Sequence, residues 1–513
     1  MDVTSSTVDD IVRRSAGRHP DRVALRFEGR VWNYRDLDDA VTRTAAWLLG
    51  RGLTKGDRVA TYGRNSDAYL LAYLGCARAG LVHVPINYAL FGEELRYLAT
   101  DCGAALILAD PDLRETVAPV VPDGVALGLL QGDDDALLAH ASAGEVVRPD
   151  VEVADTDVVQ FLYTSGTTSR PKGAIMTHRA LVHEYLSSIV ALDLHEDDVP
   201  LHPMPLYHSA QMHVFLLPYL AVGAENHLMV APDAALILRR VETDGIRALF
   251  LAPTVWVPLT NHPDFATRDL SGLRKAFYGA SIMPATTVQR LQQQCPDAGL
   301  YNCFGQSEIG PLASVLRPEE HAERPASCGR EVLFVETRVI DEDGREVAAG
   351  TAGELLYRSP QLCLGYWNKP EETQDAFRDG WFHSGDMVTK DDHGYLTVVD
   401  RIKDVINTGG VLVASREVED ALYTHPAVAE VAVIGTPHEK WIEAVTAFVV
   451  LRTDAGSVDD TTLIEHTRSR LAAFKRPKRV LFVEELPRNG SGKLLKRVLR
   501  TDPRVTDDAG AGG

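Results

Sequence analysis

Short apolar runs and amphipathic segments alternate along the first half of the chain. Runs such as Arg58-Val-Ala-Thr-Tyr62 and Ala104-Ala-Leu-Ile-Leu-Ala109 predict buried strands, whereas Tyr34–Leu49 and Ala68–Arg78 have the spacing of helices. Two short runs joined by a Glu-Gly turn within Val23–Tyr34 predict a β-hairpin. Because strands and helices alternate, we expect α/β layers built on largely parallel sheets.

The pattern changes in the second half of the chain. From Ala326 to Val399, short apolar runs separated by Asp-Gly and His-Gly turns predict a small barrel-like β unit. The last part mixes helical and extended patterns in the order helix, strand, strand, helix: Arg416–Thr424, Val428–Ile434, Ala444–Leu451 and Thr461–Leu471. These segments predict a small α+β domain.

A chain of 513 residues is too long for one compact core, so two or more domains are expected. We place an N-terminal domain at residues 1–400, a hinge at 401–403, a C-terminal α+β domain at 404–502 and a disordered tail at 503–513. The boundary rests on the charged segment Asp400-Arg-Ile-Lys-Asp404, which could also be a solvated turn.

Composition narrows the range of partners. Hydrophobic residues make up 45% and charged residues 24%, as in soluble globular proteins. The net charge of -20 argues against nucleic-acid binding and against attraction to anionic membranes. The most apolar window, Val214–Ala224, is too short for a membrane span, and the first residues do not have a signal-peptide pattern. The six scattered cysteines predict neither a disulfide scaffold nor a zinc site, so we expect a cytoplasmic protein.

The segment Tyr163-Thr-Ser-Gly-Thr-Thr-Ser-Arg-Pro-Lys-Gly173 follows a predicted strand and carries the clearest chemical signal. It concentrates hydroxyl side chains, glycines and cations, which together offer donors and positive charge to a polyphosphate. It is not the usual nucleotide P-loop, because glycine follows Lys172 instead of preceding it. By composition alone it could be an ordinary surface loop rich in serine and threonine.

Further short motifs follow in order along nearly the whole chain: Ala79–Asn87, Tyr278–Ser281, Asn302–Glu308, Gly353-Glu354, Gly365–Trp367, Trp381–Asp386, Asp400–Asp404 with Gly409-Gly410, and Pro487–Lys493. Together with Tyr163–Gly173 they resemble the acyl-adenylate-forming (ANL) superfamily, in particular its acyl-CoA synthetase, or fatty-acid–CoA ligase, branch. The resemblance implies a large N-terminal domain of two α/β subdomains plus a β-barrel, and a small mobile C-terminal α+β domain.

The resemblance also implies a nucleotide site. Phe304 would lie against the adenine and Asn302 would bond its edge, although core packing would equally explain the phenylalanine. Asp386 would accept the ribose hydroxyls beside Arg401, although the two could also be a turn cap and a surface ion pair. The implied nucleotide- and coenzyme-binding residues are Thr164, Ser165, Gly166, Thr167, Thr168, Gly279, Ala280, Ser281, Asn302, Phe304, Gly305, Gln306, Ser307, Asp386, Arg401, Gly409 and Gly410.

Four residues are implied to act on the reacting groups. Glu308 would hold Mg²⁺, a cation that takes oxygen ligands, and Lys172 would neutralise the phosphates. Lys493 would bridge the substrate carboxylate and the α-phosphate during adenylation and would leave when the C-terminal domain rotates at Lys403. His208 would line the acyl pocket. Taken alone, each could be an ordinary solvated or structural residue.

Two departures from the family pattern bear on the substrates. Amino-acid-activating relatives usually carry Phe-Asp where this chain has Tyr207-His208, so we expect an acid without an α-amino group. Relatives commonly show Asn and Pro where this chain has Leu412 and Ser415, which bears on how coenzyme A is handled. A medium- or long-chain fatty acid is the first expectation, followed by an aryl acid.

The resemblance thus implies an ATP-dependent acyl-CoA ligase that uses ATP, Mg²⁺ and coenzyme A and passes through an acyl-AMP intermediate. Two alternatives stay open. The enzyme could load the phosphopantetheine of a carrier protein, or the chain could be a non-catalytic nucleotide-binding protein derived from this fold. A homodimer is possible, and no nucleic-acid partner is expected.

Overall fold

The computed structural model describes the following residues: 6–164, 170–281, 283–408, 411–438, 441–452, 456, 458–488 and 494–506. They form two compact units. Apart from the gaps just given, the larger unit comprises residues 6–337 and 357–382, and the smaller unit comprises residues 338–356 and 383–506.

The strands of the described residues are, in chain order, β1 (Val23–Phe27), β2 (Arg30–Asn33), β3 (Arg58–Tyr62), β4 (Val82–Ile86), β5 (Ala104–Ala109), β6 (Ala126–Leu129), β7 (Val158–Thr164), β8 (Lys172–Thr177), β9 (Pro200–His202), β10 (Asn226–Leu228), β11 (Ala248–Phe250), β12 (Lys275–Gly279), β13 (Gly299–Gly305), β14 (Leu312–Leu316), β15 (Arg330–Glu331), β16 (Glu336–Ile340), β17 (Gly353–Arg358), β18 (Phe377–Arg378), β19 (Trp381–Lys390), β20 (Leu396–Arg401), β21 (Ile406–Thr408), β22 (Val411–Val413), β23 (Val428–His438), β24 (Ile442–Leu451) and β25 (Arg479–Phe482).

The α-helices are α1 (Val8–Arg18), α2 (Tyr34–Gly50), α3 (Asp67–Ala79), α4 (Gly92–Asp101), α5 (Arg114–Val117), α6 (Leu137–Ser142), α7 (His178–Ala191), α8 (Leu217–Val222), α9 (Ala234–Thr243), α10 (Pro253–Asn261), α11 (Ala285–Gln294), α12 (Pro370–Ala376), α13 (Ser415–Tyr423), α14 (Asp460–His466), α15 (Lys496–Leu499) and α16 (Pro503–Thr506). A π-helix spans Ala210–Leu216 and continues into α8. None of the described helices is both long and apolar enough to cross a bilayer.

Two sheets form the scaffold of the larger unit. The first has nine strands in the order β15-β14-β13-β12-β11-β9-β10-β1-β2, and its interior pairs from β13 to β1 are parallel. The second has six strands in the order β6-β5-β3-β4-β7-β8, of which only β7 and β8 pair antiparallel. The predicted α/β layers with largely parallel sheets are therefore confirmed.

Helix α3 is almost wholly apolar and lies in the core of the larger unit. All thirteen of its residues are buried, and a helix that is apolar all round belongs inside a core. It begins after Ser66, whose hydroxyl caps the amide of Tyr69, and it ends at Gly80, whose φ of 67° is left-handed. Its buried cation, Arg78, is neutralised by Asp9 at 2.7 Å and by Asp38.

A continuous chain of buried hydrogen bonds also crosses this unit. Gln160 Nε2 lies 3.1 Å from His83 Nδ1, and Gln160 Oε1 lies 2.7 Å from His213 Nε2. Because the amide nitrogen can only donate and its oxygen only accept, His83 Nδ1 accepts a hydrogen bond and His213 Nε2 donates one; burial lowers the pKa of both rings, so both are neutral. His213 Nδ1 then accepts from the hydroxyl of Tyr185 at 2.9 Å.

The range of the predicted β unit contains the strands from β15 to β20, but β15 pairs with β14 in the nine-stranded sheet, so only β16 to β20 form a separate sheet. Within the larger unit, β18 pairs with the beginning of β19 at Arg378 and Trp381. Within the smaller unit, the rest of β19 pairs antiparallel with β20 and sets Asp386 opposite Arg401.

The end of the smaller unit is an α+β structure, as predicted. Its sheet has the order β22-β21-β24-β23, and β25 pairs parallel with β24. Helix α13 buries Val418 and Leu422 in the core of this sheet. The prediction of a helix to Leu471 was too long, because α14 ends at His466 and a 3-10 turn follows over Thr467–Ser469. Pro503–Thr506 forms a helical turn, and the rest of the predicted tail lies outside the described residues.

Candidate active site

The predicted phosphate loop joins two antiparallel strands. β7 ends at Thr164 and β8 begins at Lys172, and these two residues face each other across the ladder. The loop residues Ser165, Gly166, Thr167 and Thr168 lie outside the described residues.

Aromatic hydroxyls hold the two ends of this loop. Tyr97 donates a hydrogen bond to the carbonyl oxygen of Pro171 at 3.0 Å, and Tyr163 donates one to Asp101 at 2.6 Å. Burial raises the pKa of Tyr97 to about 12, so its hydroxyl keeps its proton at neutral pH. The loop therefore starts and ends at fixed points beside Lys172.

Lys172, Tyr366 and Glu308 form one cluster in the larger unit. The Lys172 ammonium lies 5.1 Å from the centre of the Tyr366 ring, within cation–π range. The Tyr366 hydroxyl donates to Glu308 Oε1 at 3.1 Å. Burial and the neighbouring Glu308 carboxylate both raise the pKa of Tyr366, which keeps the hydroxyl a donor.

Tyr366 reaches this position because its segment lies along β8. Tyr366 forms an antiparallel β-bridge with Ala174, and the amide of Trp367 donates to the carbonyl oxygen of Gly173 at 2.8 Å. Trp367 also donates its indole N–H to the carbonyl oxygen of Asp101 at 2.9 Å. The sequence motif Gly365–Trp367 marked this segment as part of the family pattern, but gave no signal that Tyr366 contacts Glu308.

The predicted acyl-pocket residue lies next to the Glu308 turn. Glu308 is buried in a turn over Ser307–Ile309, and Ser307 Oγ lies 3.0 Å from Ser209 Oγ. Ser209 follows His208, whose side chain is exposed, and the preceding Tyr207 ring meets Tyr88 edge-on at 5.6 Å. The two predicted elements are thus brought together by a serine pair.

Two buried amides hold the segment that leads to His208, and sequence reasoning missed both. Asn65 donates to the carbonyl oxygen of Met204 at 2.8 Å and accepts from the amide of Leu206 at 2.7 Å. Gln211, in the π-helix, accepts from the amide of Met204 at 3.2 Å. π-helical segments often occur at functional sites, and no local pattern distinguished this one in the sequence.

The predicted nucleotide segments lie at the carboxyl ends of adjacent parallel strands, where ligands bind in open α/β sheets. β12 ends at Gly279, which pairs with Cys303 of β13. A Cβ at Gly279 would lie 2.2 Å from the carbonyl oxygen of Cys303, so only glycine fits. Ala280 follows with a φ of 65°, and both Ala280 and Ser281 are exposed.

The end of β13 is equally constrained. A Cβ at Gly305 would lie 2.0 Å from the carbonyl oxygen of Pro311. Phe304 and Gln306 are half-buried, which leaves part of each side chain open to a ligand. Asn302 donates one amide hydrogen to the carbonyl oxygen of Ser327 at 3.0 Å.

A buried carboxyl braces the Glu308 turn from behind. Glu184 of α7 accepts from the amide of Leu312 at 3.2 Å and from Gln361 Nε2 at 2.6 Å. Gln361 Nε2 also contacts the carbonyl oxygens of Ile309 and Leu312, at 3.2 and 3.1 Å. Burial raises the pKa of Glu184 well above its ordinary value.

The smaller unit holds the predicted ribose residues. Arg401 Nε lies 2.7 Å from Asp386 Oδ1, and Asp386 is buried. Glu354 supports the turn before Asp386, because it lies 2.9 Å from His383 Nδ1 and accepts from the amide of Gly385 at 3.3 Å. Asp386 and Arg401 therefore form an ion pair within this unit, and their contacts with the ribose stay a prediction. Gly409, Gly410 and Lys493 lie outside the described residues.

Comparison with known proteins assigns the family. The model of the AMP-binding enzyme family matches residues 12–367, and that of the AMP-binding enzyme C-terminal domain matches residues 417–493. The chain is 37% identical over 489 residues to a feruloyl-CoA synthase of Amycolatopsis sp., covering 95% of this chain and 97% of that protein. It is 36% identical over 433 residues to a medium/long-chain-fatty-acid–CoA ligase of Mycobacterium tuberculosis, covering 79% and 74%. The crystal structure of ATP-bound MatB from Rhodopseudomonas palustris matches with a TM-score of 0.89 and 30% identity, covering 96% and 98%.

The chain belongs to the AMP-binding enzyme family. This confirms the predicted superfamily and fold class, a large N-terminal α/β part with a small C-terminal α+β part. The predicted enzyme class is confirmed with it: the chain is an AMP-forming acid–thiol ligase that uses ATP, Mg²⁺ and coenzyme A and proceeds through acyl-AMP.

The residues present fit magnesium and nucleotide. No group of three or more His, Cys, Asp or Glu side chains in the described part of the chain could enclose a metal ion. Mg²⁺ does not need one, because it commonly takes one or two carboxylates together with substrate phosphates and water. Glu308 would supply such a carboxylate, and the Lys172 ammonium lies 5.1 Å from the centre of the Tyr366 ring, whose hydroxyl donates to Glu308.

Proposed function

We propose that this ligase activates a hydrophobic carboxylic acid without an α-amino group and transfers it to free coenzyme A. The observation that carries the proposal is the Lys172–Tyr366–Glu308 cluster beside the Ser209–Ser307 contact. It puts a carboxylate suited to Mg²⁺, a phosphate-binding cation and the segment of His208 at one place in the larger unit.

The residues divide the work of the first half-reaction. A substrate carboxylate oxygen bonds to the α-phosphorus of ATP, and the bond to pyrophosphate breaks. Lys172 and Lys493 supply positive charge to the phosphates, and Glu308 would hold the metal that neutralises them. Phe304 and Asn302 would contact the adenine. In the second half-reaction the thiol of coenzyme A bonds to the acyl carbon and AMP leaves.

Further nucleotide contacts are proposed on both units. Asp386 and Arg401 of the smaller unit would take the ribose hydroxyls. The strand-end and loop residues would surround the phosphates and adenine: Thr164, Ser165, Gly166, Thr167, Thr168, Gly279, Ala280, Ser281, Gly305, Gln306 and Ser307. Gly409 and Gly410 would let the pantetheine arm pass close to the backbone.

His208 is proposed to lie beside the acyl group. Its neighbour Tyr207 is half-buried among apolar residues and contacts Tyr88, so the segment presents aromatic surface to a substrate. No carboxylate occupies this position to pair with an ammonium group. One matched relative is named as a feruloyl-CoA synthase and another as a medium/long-chain-fatty-acid–CoA ligase, so the acids to be tested include both kinds.

Free coenzyme A is preferred over a carrier protein because of a basic, aromatic surface on the smaller unit. The Lys478 ammonium lies 5.7 Å from the ring of Trp441, and Phe474 is 40% exposed. Exposed aromatic rings beside cations suit an adenine nucleotide with several phosphates. Rotation at residues 401–403 would exchange Lys493 for this surface between the half-reactions, with residues 1–400 and 404–502 as the two moving domains.

The deciding experiment is acid-dependent ATP–pyrophosphate exchange across fatty, aryl and amino acids. We expect exchange with hydrophobic acids and none with amino acids. Absence of exchange with every acid would instead favour a non-catalytic nucleotide-binding protein. Thiol acceptors are then compared directly: faster transfer to a phosphopantetheinylated carrier protein than to coenzyme A would support the carrier-loading alternative.

We also propose a cellular location and an oligomeric state. Free thiols at all six cysteines, together with ATP and coenzyme A as substrates, support a cytoplasmic enzyme. A homodimer is proposed from exposed apolar side chains on α7 and nearby, where Leu186, Val190 and Leu333 are 46%, 55% and 58% exposed. Light scattering of the purified protein tests the dimer, and a monomer at all concentrations would contradict it.

A further inference from the structure

Ser415 stands where relatives commonly have proline, and the structure shows what this serine does. It is the first residue of α13 and is fully buried. Both its amide and its hydroxyl donate to Asp400 Oδ2, at 2.6 and 2.7 Å. Proline has no amide hydrogen and no hydroxyl, so neither bond could form with it. The buried Asp400 carboxylate thereby caps the start of α13, where negative charge is favoured.

The same serine reaches the tail of the chain. Lys496 Nζ donates to Ser415 Oγ at 2.6 Å and pairs with Glu419 Oε1 at 2.8 Å. The Lys496 and Glu419 side chains are 12% and 14% exposed, so the pair is largely desolvated. Glu419 also accepts from the amide of Val433 at 2.8 Å. A charged pair so deeply placed is held in one geometry by its hydrogen bonds.

Lys496 lies three residues after Lys493. The residues just before 489 and just after 493 are hydrogen-bonded to each other. Arg488 and Leu494 form a β-bridge, and the amide of Leu495 donates to the carbonyl oxygen of Pro487 at 2.8 Å. The described residues on either side of 489–493 therefore contact each other. The contacts of Lys496 hold the described residues that follow Lys493.

The tail is tied to residues on both sides of the proposed hinge. Lys496 reaches Asp400 through Ser415, on the near side of residues 401–403. Arg500 donates to the carbonyl oxygen of Lys403 at 3.2 Å and to Asp404 Oδ1 at 2.8 Å. Asp400 adjoins Arg401, which pairs with the proposed ribose ligand Asp386. Two consecutive residues thus connect the ribose site to the segment that carries Lys493.

We propose that Asp400, Ser415 and Lys496 are positioning residues that hold the Lys493 segment in register with the ribose site for the adenylation step. The proposal rests on the proposed roles of Lys493 and Arg401. The bonds between Asp400 and Ser415 cross residues 401–403, so a rotation there has to break them, whereas Lys496 stays with Ser415 and Glu419 on the far side of these residues. Their loss therefore impairs adenylation, and it does not impair thioester formation from acyl-AMP that is already made.

The test measures the two half-reactions separately. Acyl-AMP formation is followed by acid-dependent ATP–pyrophosphate exchange, and thioester formation by release of acyl-CoA from supplied acyl-AMP. We expect Lys496→Met to slow exchange about tenfold to a hundredfold, because a buried charge-assisted contact is lost, and to leave the second step within about twofold. Ser415→Ala keeps the hydrogen bond from the backbone amide of this residue to Asp400, so it should slow exchange less, by about threefold to tenfold.

Matched variants separate positioning from folding. Lys496→Arg retains a cation that can reach Glu419 and Ser415 and should restore most of the exchange rate. Glu417 lies on α13, as Ser415 and Glu419 do, but it forms a solvent-accessible ion pair with Lys475. Glu417→Gln breaks that ion pair and should change neither step. Removing one partner of this largely buried ion pair lowers the thermal midpoint in any case, so both steps are compared at a temperature where each variant is folded, and equal loss in both steps there would overturn the proposal. Unchanged exchange in Lys496→Met would overturn it as well.

Failure of this inference can be told apart from failure of the proposed function. If the unmodified enzyme shows acid-dependent exchange and Lys493→Ala abolishes it, the proposed function stands whatever Lys496→Met does. If the unmodified enzyme shows no exchange with any acid, the proposed function fails first, and the positioning role falls with it.

Discussion

Glu308 in the larger unit and Asp400 in the smaller are both buried carboxylates, 8% and 7% exposed, but they are held differently. The backbone fixes the Glu308 turn, since the turn lies between paired strands and the amide of Cys363 donates to the Glu308 carbonyl oxygen at 2.8 Å. Asp400 is fixed through the side chain of Ser415 and, beyond it, that of Lys496. The first arrangement fits the proposed metal ligand, and the second fits contacts that the proposed rotation would break and re-form.

The largest effect is expected at Glu308. Glu308→Gln keeps the size of the side chain and a partner for Tyr366, but removes the charge for Mg²⁺. We expect pyrophosphate exchange to fall by about a hundredfold to a thousandfold, with a higher Mg²⁺ requirement and an unchanged thermal midpoint. Glu336→Gln, at an exposed ion pair, is the control. Exchange near the unmodified rate would remove Glu308 from the metal site.

Gly305→Ala breaks the backbone that carries this turn. The new Cβ would lie 2.0 Å from the carbonyl oxygen of Pro311, so strand and turn must separate. We expect about 3 kcal/mol of lost stability, measured by denaturant or thermal unfolding, together with loss of exchange. Gly272→Ala is the matched control, because its nearest neighbour would be 3.8 Å away. Equal stability of the two variants would contradict the constraint.

Gln361→Ala removes the brace behind the Glu308 turn. The substitution removes a buried hydrogen-bond partner of the Ser187 hydroxyl and of three acceptors. The acceptors are the Glu184 carboxyl group and the carbonyl oxygens of Ile309 and Leu312. A loss of about 2–3 kcal/mol in stability follows, with a smaller loss of exchange than in Glu308→Gln. The exposed Gln292 of α11 provides the control variant Gln292→Ala. A variant as stable as the unmodified protein would show that Glu184 alone supports the turn.

The folding stability of the two units should also depend differently on pH below neutrality. Burial lowers the pKa of His83 and of His213 in the larger unit to about 3, so these rings stay neutral in the folded state while the unfolded chain takes up protons below pH 6.5. Stability is therefore lost as the pH falls from 6.5 towards 3, by about 2 kcal/mol per histidine at pH 5. In the smaller unit the pKa of His466 is lowered too, but its ring is partly exposed.

His213→Gln tests this difference, because glutamine can donate and accept in place of the ring without a charge to gain. We expect unfolding curves recorded between pH 7 and 4 to show a flatter acid dependence for the larger unit. An unchanged slope would mean that His213 does not titrate on unfolding in this range.

The sequence predicted the α/β fold well because its signals are local. The apolar runs Arg58–Tyr62 and Ala104–Ala109 marked β3 and β5, which pair in parallel as the alternation of strands and helices predicts. Tyr163–Gly173 and Asn302–Glu308 were singled out by their resemblance to family motifs, and their roles at the site stay predictions.

What the sequence could not predict depends on side chains distant along the chain. Tyr366 meets Glu308 only because its segment lies along β8. Asn65 is separated from Met204 by more than a hundred residues, and the pairing has no local pattern. The departure at Ser415 was visible, but its bonds to Asp400 and Lys496 appear only when three segments pack together.

The most direct measurement is the ratio of the two half-reactions in Lys493→Ala. Lys493 is proposed to enter the site for adenylation and to leave it for thioester formation. We predict that pyrophosphate exchange falls by orders of magnitude, while acyl-CoA release from supplied acyl-AMP falls far less. Equal losses in the two half-reactions would contradict a lysine that serves one step and leaves before the next.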